Sequence, residues 1–115
     1  FQMTLQELGT IMQNNIGVKI IILNNEYLGM VRQWQQMFFE KRYSFTNIQS
    51  PDFVALAASY NIKGVKVEKQ EDLSHALYQL LNTENAFLLE VKVAKEDNVF
   101  PMVPTGASVA EIRLQ

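Results

Sequence analysis

Two adjacent asparagines follow directly on a strongly apolar run of the sequence. Asn24 and Asn25, with Glu26 after them, come immediately after four consecutive large aliphatic residues, Ile20 to Leu23. Amide oxygens are hard ligands of the kind that Mg²⁺ prefers, and Mg²⁺ often joins a few protein oxygens to the phosphates of a bound molecule. Asparagine is also common in turns at the end of a strand. The spacing alone leaves a metal ligand and a plain turn as open interpretations of Asn25.

No other set of residues forms a recognisable catalytic or phosphate-binding motif. The sequence has no cysteine and a single histidine, His75, so it offers neither a thiolate metal site nor a cluster of imidazole ligands. It also lacks the Gly-x-Gly-x-x-Gly, Walker, Gly-x-Ser-x-Gly and His-Glu-x-x-His patterns. His75 falls inside a predicted helix and is interpreted as a surface residue. The chain therefore carries no convincing catalyst of its own.

The elements that position the asparagines are a strand and the helix after it. The segment from Val18 to Asn25 is predicted to be a strand buried on both faces, as in a parallel sheet. The next helix is predicted from Leu28 to about Glu40, so polar side chains at the carboxyl end of a strand precede a helix N-terminus, a frequent ligand site. This helix has an apolar face, which the pattern favours as a core stripe over the wall of a ligand pocket. The residues of that face are Met30, Trp34, Met37 and Phe38.

Further helices and strands alternate along the chain. A capping box of Thr4 and Glu7 predicts the start of a first helix, which ends at Asn15-Ile16-Gly17. Ser50-Pro51-Asp52 predicts the start of another helix, with Ser50 as the cap. The remaining predicted elements are a strand from Gly64 to Glu68, a helix starting at Glu71 and Asp72, and a strand from Ala86 to Val93. The residues predicted to face the core are Leu5, Leu8, Ile11 and Met12 in the first helix, Phe53, Leu56, Ala57 and Tyr60 in the third, and Leu73, Ala76, Leu77, Leu80 and Leu81 in the fourth.

The order helix, strand, helix, helix, strand, helix, strand predicts a three-layer α/β/α fold with a parallel sheet. Residues 1–94 are predicted to form the domain. From residue 95 to residue 115 periodicity disappears, and an apolar stretch is interrupted by Pro101 and Pro104, so this part is predicted to be a C-terminal tail.

Composition excludes several classes of partner. A chain of 115 residues is one domain by length, and 48% hydrophobic residues is ordinary for a globular protein. A net charge of −2 with interspersed signs argues against nucleic acid, and no run approaches the ~18 apolar residues of a membrane helix. Without a segment that resembles a signal peptide, we expect a cytoplasmic location. Because the first residue is Phe1 and not Met, we expect a processed chain or a piece of a longer one.

Several runs of residues together resemble one enzyme family. They are Phe1 to Leu8, Val18 to Gln35, Arg42-Tyr43-Ser44, Pro51-Asp52-Phe53 and Asn98 to Gly106. With these runs the chain resembles the thiamine diphosphate-binding domain of acetolactate synthase (acetohydroxyacid synthase) catalytic subunits. The family's cofactor motif begins with Gly-Asp-Gly and ends with Asn-Asn, and this chain keeps the Asn-Asn end. The run from Asn98 to Gly106 distinguishes it from other thiamine diphosphate decarboxylases.

The resemblance implies a site for thiamine diphosphate and Mg²⁺. Asn25 would bind the ion through its side-chain oxygen and Tyr27 through its backbone carbonyl, while an Asp of the Gly-Asp-Gly segment, absent here, would complete the protein ligands. The ion would bridge the diphosphate of the cofactor. The residues implied to contact the cofactor are Met3, Asn25, Glu26, Tyr27, Leu28, Gly29 and Met30. FAD would bind mainly outside this chain.

The resemblance also implies an activity and its partners. Pyruvate would lose CO2 and be joined to a second 2-keto acid, pyruvate or 2-ketobutyrate, in a step of branched-chain amino acid biosynthesis. Met30, Val31 and Trp34 would line the pocket for the second 2-keto acid. The implied protein partners are the rest of the same enzyme chain, a second catalytic subunit in a homodimer or tetramer, and, where one exists, a regulatory subunit. The isolated piece is expected to be inactive, because the glutamate that activates the cofactor belongs to another domain of a neighbouring subunit.

Two other functions remain open at this point. One is a different thiamine diphosphate-dependent decarboxylase or oxidase, such as a pyruvate oxidase, against which the run from Asn98 to Gly106 argues. The other is a non-catalytic α/β interaction module with the same fold.

Overall fold

The computed structural model describes residues 1–114 and contains the elements in the predicted order. They are a 3₁₀ turn at Gln2–Thr4, α1 (Glu7–Gln13), β1 (Lys19–Asn24), α2 (Gly29–Phe38), α3 (Phe53–Ser59), β2 (Lys63–Val67), α4 (Gln70–Asn82), β3 (Phe87–Lys92) and a 3₁₀ turn at Val109–Glu111. No helix within this described part is long and apolar enough to cross a membrane.

Residues cluster into two compact units along the chain. The first contains Phe1–Asn25 and Gln49–Val93, and the second contains Glu26–Ile48 together with the chain from Ala94 onward. The division into a domain of residues 1–94 and a tail of residues 95–115 stays a prediction.

The first unit is built around three parallel strands in the order β1-β3-β2. Its two cores lie on opposite faces of β3, because alternate side chains of a strand point to opposite sides. The α1 and α3 side contains Leu8, Phe53, Ala57, Ile62 and Leu88. The α4 side contains Val67, Ala76, Leu80, Phe87 and Leu89. The predicted α/β/α arrangement with a parallel sheet is therefore confirmed.

The prediction that β1 is buried on both faces is wrong for the described chain. Ile21 is 50% exposed and Leu23 is 69% exposed. β1 forms one edge of the three-stranded sheet, and α4 packs on β2 and β3. On the opposite face, Ile20 and Ile22 pack against the core under α1 and α3. The apolar run of β1 thus lies on the core with only one of its two faces.

The first helix begins without the capping box predicted at Thr4. The hydroxyl of Thr4 donates to the carbonyl of Phe1 at 3.0 Å, because the chain turns there in a 3₁₀ conformation. Gln6, the N-cap residue, is already helical, so no extended residue precedes α1 to place a side-chain cap. The predicted stop is confirmed: Asn15 has a φ of 50°, and the amide of Ile16 donates back to Ile11 at 3.1 Å. That pair is the Schellman ending of a helix.

The start of α3 differs from the prediction in its cap. Asp52, and not Ser50, is the N-cap residue, and its carboxylate accepts from the amide of Ala55 at 2.8 Å. The hydroxyl of Ser50 donates instead to Oδ1 of Asn24 at 3.1 Å. Of the two capping candidates, Ser50 is therefore used for a contact with β1.

The apolar face predicted to be the core stripe of α2 is not its buried face. The buried residues of this helix are Arg32 and Gln33, whereas Met30 is 51% exposed and Phe38 is 37% exposed. In α4, Ala76 and Leu80 are buried as predicted, but Leu81 is 72% exposed. Met12 of α1, also predicted to face the core, is 40% exposed.

The second unit contains α2 and three sets of contacts that hold the irregular chain around it. The segments Glu26–Leu28 and Thr46–Ile48 pair in antiparallel fashion, with the amide of Leu28 donating to Thr46 at 2.8 Å and that of Ile48 to Glu26 at 2.9 Å. The side chain of Gln35 bonds to the amide and the carbonyl of Ser44, both at 3.0 Å. Gln33, in the middle of α2, bonds to the backbone of Val99.

Candidate functional site

The last residue of β1, Asn24, is held by hydrogen bonds at both ends of its side-chain amide. Its Nδ2 donates to Oε1 of Glu90 at 2.8 Å, and its Oδ1 accepts from the hydroxyl of Ser50 at 3.1 Å. Its backbone carbonyl accepts from the amide of Val93 at 3.1 Å. Asn24 and Glu90 are both buried, 9% and 3% exposed. This residue therefore anchors the end of β1 to the strand and the loop beside it.

Asn25, the predicted metal ligand, comes one residue after β1 and is half-buried. Its amide oxygen is a hard donor, and hard oxygen donors are what Mg²⁺ requires. The backbone carbonyl of Tyr27, the second predicted donor, is of the same class. Residues 1–114 contain no group of three or more His, Cys, Asp or Glu that could hold a metal ion. The donor chemistry of these two positions fits Mg²⁺ shared with ligand phosphates.

Glu26 has a backbone conformation that side chains rarely adopt. Its φ is 58°, in the left-handed region, where a residue with a Cβ is strained. Such strain persists only where the surroundings hold it, and it is often found at binding sites. The pairing of Glu26–Leu28 with Thr46–Ile48 supplies one such restraint.

The ring of Tyr27 is held by two cations and an amide. The guanidinium of Arg32 lies 5.6 Å from the ring centroid, and the ammonium of Lys95 lies 5.4 Å from it. Nδ2 of Asn47 donates to the phenol oxygen at 3.4 Å. Arg32 also stacks on Tyr43 at 4.6 Å and donates to Gln36 at 3.2 Å. These contacts orient Tyr27 and with it the backbone that would bind the ion.

The N-terminus of α2 is suited to a negatively charged group. Leu28 is its N-cap residue and makes no side-chain cap bond, and the first turn of this described helix contains no acidic side chain. The first amides of a helix lack intrahelical acceptors and carry the positive end of the helix dipole. Gly29 and Met30, in this first turn, are residues predicted to lie against the cofactor.

The residues predicted for the substrate pocket lie together along α2. Met30 and Val31 are 51% and 47% exposed, and Trp34, one turn after Met30, is half-buried. The indole of Trp34 packs on Phe38 with ring centroids 5.0 Å apart and a tilt of 46°. Met30 and Val31 are therefore not part of a buried core within the described chain, and their place in a substrate pocket stays a prediction. Met3, the remaining predicted contact, lies in the first unit and is 94% exposed.

Two ionisable groups near the sheet have shifted pKa values. A hydrogen bond to Glu68 raises the pKa of Lys66, and the buried carboxylate of Glu90 adds to this effect. The same hydrogen bond lowers the pKa of Glu68, and the two side chains are 3.1 Å apart. Both groups are exposed, so this pair is a solvated ion pair with little effect on stability.

The sequence did not predict a place in the site for Ser50, Glu90 or Arg32. One signal could have identified Glu90, because a single carboxylate interrupts the apolar strand Phe87–Lys92 and a buried carboxylate needs partners. No local pattern points to Asn24 as that partner, since the two residues are 66 positions apart.

The family of the chain follows from a comparison with known proteins. Residues 1–91 match the model of the thiamine pyrophosphate enzyme C-terminal TPP binding domain. The chain therefore belongs to this family of thiamine pyrophosphate enzymes.

The individual relatives that this chain resembles include acetolactate synthases. The chain is 48% identical over 114 residues to mitochondrial acetolactate synthase of Schizosaccharomyces pombe, covering 99% of this chain and 17% of that protein. It is 43% identical over 113 residues to the acetolactate synthase isozyme 2 large subunit of Escherichia coli, with 97% and 21% covered. The resemblance predicted from the sequence is confirmed. The chain spans only about a fifth of the length of these relatives.

A solved structure of a thiamine diphosphate enzyme has a similar fold. Rhodococcus jostii 4-hydroxybenzoylformate decarboxylase, which is thiamine diphosphate-dependent, matches with a TM-score of 0.69 and 30% identity. The match covers 78% of this chain and 17% of that one. It supports the α/β thiamine diphosphate-binding fold.

Proposed function

We propose that this chain is the carboxyl-terminal part of an acetolactate synthase catalytic subunit. The enzyme would decarboxylate pyruvate and join the remaining two-carbon unit to a second 2-keto acid, pyruvate or 2-ketobutyrate, in branched-chain amino acid biosynthesis. The observation that carries this proposal is the 48% identity over 99% of the chain to a protein of that name. Because that match covers 17% of the relative, the remaining sites of the enzyme would lie outside this chain.

In this proposal the chain holds one side of the cofactor site. Asn25 and the backbone carbonyl of Tyr27 would bind Mg²⁺, and the amides at the start of α2 would face the diphosphate. Thiamine diphosphate, when bound, supplies the nucleophilic carbon and the electron sink that decarboxylation of a 2-keto acid requires. The further residues proposed to contact it are Met3, Glu26, Leu28, Gly29 and Met30.

The substrate pocket would use the exposed apolar residues of α2. Met30, Val31 and Trp34 would contact the second 2-keto acid, which they would bind by shape and exclusion of water, because they carry no charge. Their exposure in the described chain supports this assignment. Discrimination between 2-keto acids would then depend on how well a methyl or an ethyl group fills the space beside the indole.

The other parts of the enzyme are expected elsewhere. FAD would bind mainly outside this chain, and a second catalytic subunit, in a homodimer or tetramer, would supply the glutamate that activates the cofactor. A regulatory subunit and a cytoplasmic location stay predictions from the sequence.

The proposal is tested by identifying the product that the complete enzyme containing this chain forms from pyruvate. Purified enzyme with thiamine diphosphate, Mg²⁺ and FAD is expected to release CO2 and form acetolactate. Release of acetaldehyde without acetolactate would instead indicate a simple decarboxylase, the class of activity named for the structural relative. Absence of CO2 release together with absence of cofactor binding would favour a non-catalytic module.

A further inference from the structure

A buried carboxylate on the central strand has no role in the function proposed so far. Glu90 occupies β3, is 3% exposed, and lies in register between Ile22 of β1 and Lys66 of β2. The residues before it in β3, Phe87, Leu88 and Leu89, are all fully buried and apolar. An apolar side chain at position 90 would suit such surroundings, since burial of a carboxylate is unfavourable unless it is hydrogen-bonded.

The hydrogen bonds of Glu90 lead to the residue before the proposed metal ligand. Glu90 accepts from Nδ2 of Asn24 at 2.8 Å, and Oδ1 of Asn24 accepts from Ser50 at 3.1 Å. Because the acceptor is on one side and the hydroxyl donor on the other, the amide of Asn24 has a single favourable orientation. The backbone carbonyl of Asn24 is bonded to Val93 as well. Three separate contacts thus hold Asn24 in one position.

We propose that Glu90 is a positioning residue for metal binding, acting through Asn24 on Asn25. Asn25 is joined directly to Asn24, so the direction of its amide oxygen depends on how firmly the end of β1 is held. Ser50 completes the same network from the loop before α3. This inference rests on the proposed function, in which Asn25 binds Mg²⁺. Residues that orient a metal ligand commonly change metal affinity when they are replaced.

The substitutions that test this role keep the packing and change the hydrogen bonds. Glu90→Leu has a similar size but offers no acceptor to Asn24. Glu90→Gln retains an oxygen that can accept the same bond, so it is the conservative variant expected to rescue binding. Ser50→Ala removes the donor on the other side of Asn24. Leu89→Ala is the matched control, because Leu89 is equally buried in the same strand but faces the α4 side.

Two quantities are measured for each variant of the complete enzyme. The first is the Mg²⁺ affinity, obtained by titrating Mg²⁺ into apoenzyme with saturating thiamine diphosphate. The second is the melting temperature of the apoenzyme. Glu90→Leu is expected to weaken Mg²⁺ binding by roughly ten-fold to a hundred-fold. Ser50→Ala should change it in the same direction by less, and Glu90→Gln should stay close to the unaltered enzyme. Leu89→Ala should lower the melting temperature with Mg²⁺ affinity retained.

Two results would overturn the inference while leaving the proposed function intact. One is a loss of Mg²⁺ affinity in Asn25→Ala with none in Glu90→Leu. The other is an equal loss in Glu90→Leu and Leu89→Ala that follows the fall in melting temperature, which would make Glu90 a stability residue only. If Asn25→Ala leaves Mg²⁺ affinity unchanged, the metal site of the proposed function is wrong and the positioning role is overturned with it.

Discussion

The side chain of Gln33 makes two hydrogen bonds to the backbone of Val99, which lies 66 residues further along the chain. Nε2 donates to the carbonyl at 3.0 Å, and Oε1 accepts from the amide at 2.8 Å. Gln33 is 1% exposed, so its side-chain amide depends on protein partners, whereas Val99 is 61% exposed. Through this pair, α2 holds the run from Asn98 to Gly106 in place within the second unit.

Gln33→Leu should release that run. The substitution removes both hydrogen bonds to the backbone of Val99, each of which contributes about 0.5–1.5 kcal/mol. Hydrogen exchange at the amide of Val99 should accelerate, and proteolysis should begin within the run from Asn98 to Gly106. Gln36→Leu, one turn away in the same helix, is the control, since Gln36 accepts from Arg32 of that helix. Unchanged exchange at Val99 in Gln33→Leu would contradict the anchoring role.

Asn25→Ala should weaken Mg²⁺ and cofactor binding in the complete enzyme, whereas Tyr27→Phe should have little effect. The first removes the proposed oxygen ligand. The second removes only the phenol oxygen that accepts from Asn47 at 3.4 Å and keeps the contacts of the ring with Arg32 and Lys95. Cofactor titration at fixed Mg²⁺ compares the two.

Tyr27→Leu separates the ring of Tyr27 from its carbonyl in the same titration. Loss of the ring removes two cation–π contacts, each worth about 0.5–1 kcal/mol at an exposed site, so binding should fall between the values for Tyr27→Phe and Asn25→Ala. If Tyr27→Phe proves as damaging as Asn25→Ala, the proposed coordination is wrong.

The order of elements could be predicted from the sequence because each depends on local patterns. The helix predicted from Leu28 to Glu40 is observed at Gly29–Phe38, and the three strands are within two residues of their predicted ends. Periodicity shows which residues share a face but not which face is covered. In α2 the covered face is that of Arg32 and Gln33. Its partner, Val99, is distant in the sequence, so the local pattern does not show that this face is the covered one.

The sequence predicted only those residues of the site to which the family resemblance assigns a role. Asn25 and the segment after it follow from the Asn-Asn motif. The network behind them depends on a choice between competing partners: Ser50 and Asp52 are both good helix caps, and the structure uses Asp52 for α3 and Ser50 for Asn24. Local sequence contains no information on that choice, since Asn24 is 26 residues from Ser50.

The central strand β3 and the edge strand β1 should differ sharply in their tolerance of substitution on the face of the sheet that they share with α4. Leu89→Ala in β3 removes a fully buried side chain and is expected to lower the free energy of unfolding by about 2–5 kcal/mol. Leu23→Ala in β1 is expected to change it by about 0.5 kcal/mol or less, because Leu23 is 69% exposed. Urea denaturation of the 115-residue chain measures both. A large loss in Leu23→Ala would mean that this face of β1 is covered in solution.

Trp34→Leu in the complete enzyme should change the choice of the second 2-keto acid while decarboxylation of pyruvate continues. Met30 and Trp34 are one turn apart on α2, so the indole can fill space that the extra methylene of 2-ketobutyrate would contact. One methylene in an apolar pocket is worth about 1–3 kcal/mol, so the preference between 2-ketobutyrate and pyruvate should fall roughly ten-fold or more.

The alternative for Trp34 is a packing role, and Phe38→Leu tests it. Both substitutions remove the ring contact at 5.0 Å, but only Trp34 is assigned to the pocket. If packing alone mattered, both variants would lose stability to a similar extent and every activity would fall together. Product ratios from mixtures of the two keto acids, measured beside thermal melting, separate these cases. An unchanged product ratio in Trp34→Leu with a collapsed melting temperature would exclude Trp34 from the substrate pocket.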